Sequence, residues 1–180
     1  MKSPKQWQNI VAMAMLALTI PAIGFAAGGD NANPRVLPTN STPDGRTVPV
    51  PFKGSWTGDT YILGYCPDGR LHYIDVSPRG HMTHLGKATW LADVCLDLSV
   101  FPAYGTGTGV VTAANGDEIH MALTIEVNTL DWTWKETEHY AGGTGRFVDA
   151  VGQTVSLGSI AWESQIHGFW SCHTTGSLAF

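Results

Sequence analysis

Glu136 and Glu138 stand two residues apart and are followed at once by His139 and Tyr140. In an extended strand, side chains two apart share a face, so the two carboxyls fall side by side. Set at the end of a barrel, such a pair can supply an acid, a base or a polar lip over a cavity. Set on the outer wall it is only a solvated edge. Strands keep charges on the wet face, so the outer placement is the expected one. His84 is the second group suited to proton exchange, because imidazole changes charge near neutral pH. Its bland expectation is a partly buried histidine hydrogen-bonded to a neighbouring strand. Glu136 and His84 are therefore the candidate catalytic residues.

Other chemistries find less support. His81 and His84, three apart, face opposite sides of a strand; His167 and His173, six apart, can share one, with Trp170 between them on the other side. Neither pair has the spacing of helical metal ligands, and no CxxC starts a thiolate site, so no metal or other cofactor is expected. There is no Gly-x-Ser-x-Gly elbow and no phosphate loop. Gly105-Thr106-Gly107-Thr108-Gly109 looks like a nucleotide loop but is read as a turn or a bulged strand entry. Cys66, Cys95 and Cys172 allow one disulfide and leave one thiol, with all three pairings open.

These residues need elements to hold them. The 180-residue chain has room for one ordinary domain. Lys2 and Lys5, an apolar run from Ile10 to Ile20, Pro21 and the small-residue site Gly24-Phe25-Ala26 read as a secretory signal peptide over residues 1–26. Residues 27–51, rich in Pro and Asn, read as a flexible leader, and residues 52–180 as the folded domain. The expected setting is periplasmic or extracellular, with no membrane span once the signal is removed. Charged residues make up only 14% of the chain, which favours sheets over solvated helices, and the net charge of −5 with no basic stripe disfavours a nucleic-acid partner.

From Phe52 onward, short apolar runs alternate with turn chemistry at Cys66-Pro67-Asp68-Gly69, Ser77-Pro78-Arg79-Gly80 and Asn115-Gly116-Asp117. Candidate strands are Ser55 to Gly64, Arg70 to Val76, His81 to Leu85, Ala88 to Ser99, Gly107 to Ala113, Glu118 to Val127, Leu130 to Glu138, Thr154 to Ile160 and Gln165 to Ala179. In the strand after Gly116, Ile119, Met121, Leu123, Ile125 and Val127 share the inner face. Trp90, Ala92, Val94, Leu96 and Leu98 do so in an earlier strand. Trp132 and Trp134 share a parity. Gly86 must bend, bulge or end a run that would otherwise extend from His81 to Ser99. The fold expected is all-β, a closed or nearly closed antiparallel barrel, with a β-sandwich as the alternative. Gly142 to Gly152, with four glycines around Arg146 and Phe147, reads as a corner that seals one end, with Phe147 as its plug.

Thr83-His84-Leu85-Gly86, Asn115-Gly116-Asp117 and Gly142-Gly143-Thr144-Gly145-Arg146-Phe147 together resemble a family of exported bacterial β-barrel proteins similar to the allene oxide cyclase and dirigent barrels. The match covers roughly residues 80 to 157. It implies a calycin-like barrel of about eight strands, but it carries no reaction onto named residues. Asp149 and the Trp- and Glu-rich stretch from Asp131 to Tyr140 depart from the pattern. The function expected is an exported soluble barrel that binds a small apolar molecule, with Trp90, Trp132, Trp134, Tyr140 and Arg146 as candidate ligand contacts. The alternatives are a cyclase or isomerase that works by confining its substrate, and a structural or surface-interaction protein. Nothing in the sequence sets an oligomeric state.

Overall fold

Alternating side chains and turn residues cut the chain into eight strands: β1 (Val50–Tyr65), β2 (Leu71–Met82), β3 (Gly86–Asp97), β4 (Ala103–Ala113), β5 (Glu118–Asn128), β6 (Thr133–Gly143), β7 (Val151–Trp162) and β8 (His167–Ala179). The computed structural model describes residues 48–180, so the expected signal peptide and nearly all of the leader lie outside the described residues. Each strand pairs antiparallel with the next, and β1 closes on β8 to complete a barrel. Closure leaves no sheet edge open to another chain. β1 begins at Val50, two residues ahead of the expected domain start.

Two expected segments, Arg70 to Val76 and His81 to Leu85, belong to one strand. Ser77-Pro78-Arg79-Gly80 is not a turn but an irregularity inside β2, where the register shifts against both β1 and β3. Proline lacks an N–H for the ladder, so it fits a bulge and does not have to reverse the chain. The reversal comes at Thr83-His84-Leu85, with His84 at φ 66° and Gly86 at φ 70°. Gly105, Gly107 and Gly109 also depart from expectation, lying within β4 as regular strand residues. They face inward, where a Cβ would meet Ile125 at Gly105, the Asp93 carbonyl and Val94 at Gly107, and Met121 at Gly109.

The same device seats three indoles. A Cβ at Gly80 would fall 1.8 Å from the Trp56 ring, one at Gly158 would lie 2.4 Å from Trp134, and one at Gly58 would lie 2.7 Å from Trp170. Each ring lies on backbone that carries no side chain. An eight-stranded barrel is just wide enough for its side chains to fill, and these pairings fill it with rings.

The hairpin ends divide into two rims. At one, Arg146 donates from Nη2 to the His84 carbonyl at 2.9 Å and lies 3.8 Å from the Asp117 carboxylate, while Thr144 Oγ1 accepts from the Glu118 N–H at 2.9 Å. The β2–β3, β4–β5 and β6–β7 connections thus meet. Phe147, 0% exposed in a one-turn 3-10 helix (Gly145–Phe147), packs edge-on against Phe180 at 5.0 Å between ring centres and closes this end. The other rim is bound by the Cys66–Cys95 disulfide, which settles the pairing. Its connections expose Leu98, Val100, Phe101, Leu130 and Ile166. Leu98 lies beyond β3 and outside the core it was expected to join. Among the described residues, no helix is long and apolar enough to cross a membrane.

Candidate functional site

The inward faces of β5 and β6 differ sharply. β5 contributes Ile119, Met121, Leu123, Ile125 and Val127, all buried as its alternation requires. β6 contributes Trp134, Glu136, Glu138 and Tyr140, and its two glutamates are only 2% and 0% exposed. This overturns the expected outer placement. Both faces of β6 carry polar residues, so charge alone does not choose between them. The inner face is the one that also holds Trp134 and Tyr140, whose burial is worth more than solvating two carboxyls that can protonate.

Glu138 is the better supported of the two. Its Oε2 accepts from the Thr154 hydroxyl and its Oε1 from the Ser156 hydroxyl, each at 2.5 Å. Since those protons are committed, Tyr140 must donate to Thr154 Oγ1 at 2.8 Å and Thr174 to Ser156 Oγ at 2.6 Å. Two hydroxyl relays thus converge on one carboxyl. Burial raises the pKa of Glu138, but the Ser156 and Thr154 donors oppose the rise. Glu136 has no such support, and burial, then the neighbouring carboxyls of Glu138 and Asp75, push it well above the carboxylate range. Glu136 therefore holds its proton while Glu138 is the readier acceptor, one acid beside one base.

A third carboxyl joins them. Asp75 on β2 accepts a short hydrogen bond from Thr60 Oγ1. Part of the residue reaches solvent, but its carboxyl faces the interior, and burial raises its pKa to about 7. No sequence signal singles it out, because Ile74 and Val76 flank it and alternation would put them inside. Among the described residues, no Lys or Arg is buried around these acids. Tyr73, Tyr140 and the free thiol of Cys172 face the same interior, all with raised pKa values through burial; Cys172 is pushed up to about 12.

Between the acids lies a cavity of only about 10 Å³, bounded by Asp75, Glu136 and the indoles of Trp56, Trp90, Trp134 and Trp170. A larger open depression, about 1290 Å³, lies on the outer wall over Ser55, Thr57, His81 and His173. None of the three acids borders it.

No family model, curated protein or solved structure matches this chain. The site must therefore be understood from its own geometry.

The candidate residues separate into groups. Glu136, Trp90, Trp134 and Tyr140 share the interior. Trp132 does not: it precedes β6, at φ 58° in the turn, and packs edge-on against Trp162 at 5.2 Å. Arg146 is committed to the sealed rim, its guanidinium 4.6 Å above the Phe147 ring. His84 is exposed in its turn and not held by a neighbouring strand, because the chain reverses before β3 can begin. Its ring lies 6.0 Å from Phe180 at the sealed rim, and it does not border the cavity that Asp75 and Glu136 share. His167 pairs with Asp59 and Glu163, each at 2.9 Å, and stacks on Tyr61 at 4.8 Å.

Proposed function

We propose that this chain is an exported barrel enzyme of the cyclase or isomerase type, which confines a small, largely apolar substrate and exchanges protons with it through Glu136 and Glu138. The observation that carries this is the buried pair itself: two carboxyls on one inner strand face, Glu138 accepting from two hydroxyls and Glu136, which borders the indole-walled cavity, from neither. Isomerisation needs a proton delivered to one atom and removed from another, and a desolvated acid–base pair does both. Asp75, whose pKa burial raises to about 7, faces Glu136 across the cavity and is the group that can exchange a proton with the pair near neutrality. The disulfide supports an exported setting.

The filled interior sets a condition. A substrate enters only if the indole walls part, so binding quenches tryptophan fluorescence. Small apolar enones and epoxides are the probes, followed by fluorescence for binding and by NMR for rearrangement. Glu136→Gln keeps the shape of the side chain and removes its acidity, and turnover should fall by about 10²- to 10⁴-fold while quenching persists. Turnover at the wild-type rate in this variant, or absence of quenching by every probe, refutes the assignment.

A second reading, a non-catalytic surface-interaction protein, draws on the rim that exposes Leu98, Phe101, Leu130 and Ile166. It requires a defined oligomer or complex in light scattering that Leu130→Asp dissolves.

A further inference from the structure

In the closed eight-strand barrel, β2 and β6 stand on opposite walls. Asp75 and Glu136 face each other from those walls across the small cavity, and both border it. Trp56 and Trp170 border it as well. They are 2% and 5% exposed, and the indole N–H of each is buried with no hydrogen-bond partner in the protein. Buried N–H groups are rarely left in this condition.

We propose that this cavity is a binding site for one water molecule, which joins Asp75 to Glu136 across the barrel and satisfies the indoles of Trp56 and Trp170. Three features select water. A volume of about 10 Å³ admits one water and nothing larger without rearrangement. The two indoles offer protons, so the ligand must accept twice; an ammonium or alkali ion suits carboxylates and ring faces but accepts nothing. A halide would accept from the indoles but has no proton to give, whereas Asp75 and the carbonyl oxygen of the protonated Glu136 both need a donor. Water accepts two hydrogen bonds and donates two, which matches the two unpartnered indole N–H groups and the two carboxyls that border the cavity.

The water makes the three acids one unit. Glu138 adjoins Glu136, and Asp75 reaches Glu136 through the bound molecule, so ionisation on one wall is felt on the other. Tyr73, Tyr140 and Cys172 also face this interior and stay neutral, leaving the proton count to the carboxyls. The site is independent of turnover: it stands if the barrel proves to be a binding or structural protein, and it falls separately from the proposed function.

A high-resolution crystal structure of the full folded protein tests it directly. One density peak is expected within about 2.7 to 3.2 Å of both indole Nε1 atoms and of a carboxyl oxygen from each of Asp75 and Glu136. Absence of that peak, protein partners on both indoles, or an anomalous signal identifying an ion overturns the assignment. In solution, oxygen-17 relaxation dispersion should count one long-lived water fewer in the Trp56→Phe/Trp170→Phe variant than in the wild type. An unchanged count contradicts the site. If that variant does not fold, the wild-type density decides alone.

Discussion

Replacing Asp75 by Asn should make this protein more stable at pH 8 and leave it nearly unchanged at pH 4. The Thr60 hydroxyl keeps an acceptor in the amide, so the hydrogen bond survives while the ionisable group is lost. The folded-state pKa of Asp75 lies above its ordinary 3.8, at about 7. Well below pH 4 the carboxyl is neutral in both states and exacts nothing. As pH rises toward 7 the unfolded chain ionises while the folded barrel resists, so stability falls across that window and levels off above it. At full ionisation the difference amounts to about 4 kcal/mol, or about 2 after allowing for the solvent contact that Asp75 keeps. For a domain of this size that is a melting-temperature difference of roughly 5 to 12 °C. Thermal unfolding of wild type and Asp75→Asn at pH 4, 6 and 8 measures it. The difference between the two curves isolates Asp75, because histidines and surface acids titrate in both. Curves that stay parallel across this range would show that the carboxyl is solvated like any surface acid, and the interior acid cluster would lose its third member.

Two further perturbations probe the frame around the site. Phe147→Ala removes a fully buried ring from the sealed rim and should lower stability by about 3 to 5 kcal/mol, read as a shifted urea midpoint; an unchanged midpoint would mean the rim is closed by other groups. Cys66→Ala with Cys95→Ala opens a loop closed across 29 residues and should cost about 3 to 4 kcal/mol by the same assay, whereas an equal midpoint in oxidised wild type and the double variant would assign the bond no share in holding the rim.

Much of the barrel is legible in the residues. Alternation in β5 and β3 names the inner face correctly from Ile119 to Val127 and from Trp90 to Leu96, because apolar burial there has no competitor. The corner from Gly142 to Gly152 shows itself by glycines that no strand interior would collect in that number, and Phe147 fills the place expected of it. Legibility fails where two signals conflict. Pro78 and Gly80 resemble a reversal, yet β2 absorbs them as a bulge because the pairing on both sides continues past them. Gly105 to Gly109 resembles a loop only if the neighbours are ignored; Ile125, Val94 and Met121 fill the space those glycines leave. The acids are the deepest miss. A carboxyl's preference for water is strong as an anion and weak as a neutral acid, so Glu136 and Glu138 follow Trp134 and Tyr140 inward. The shared parity of all four is the one clue in the sequence, and it runs against the rule that strands place charge on the wet face. Asp75 offers not even that clue, since Ile74 and Val76 beside it belong to the outer wall.

The indoles lying on bare backbone have one more consequence. Trp56, Trp134 and Trp170 are inserts seated on Gly80, Gly158 and Gly58, where the backbone carries no side chain of its own. Shortening one of them would therefore leave a flat, ring-shaped slot opening onto the cavity that Asp75 and Glu136 border. A filled barrel and a receptacle for an aromatic guest are, in this protein, a single codon apart.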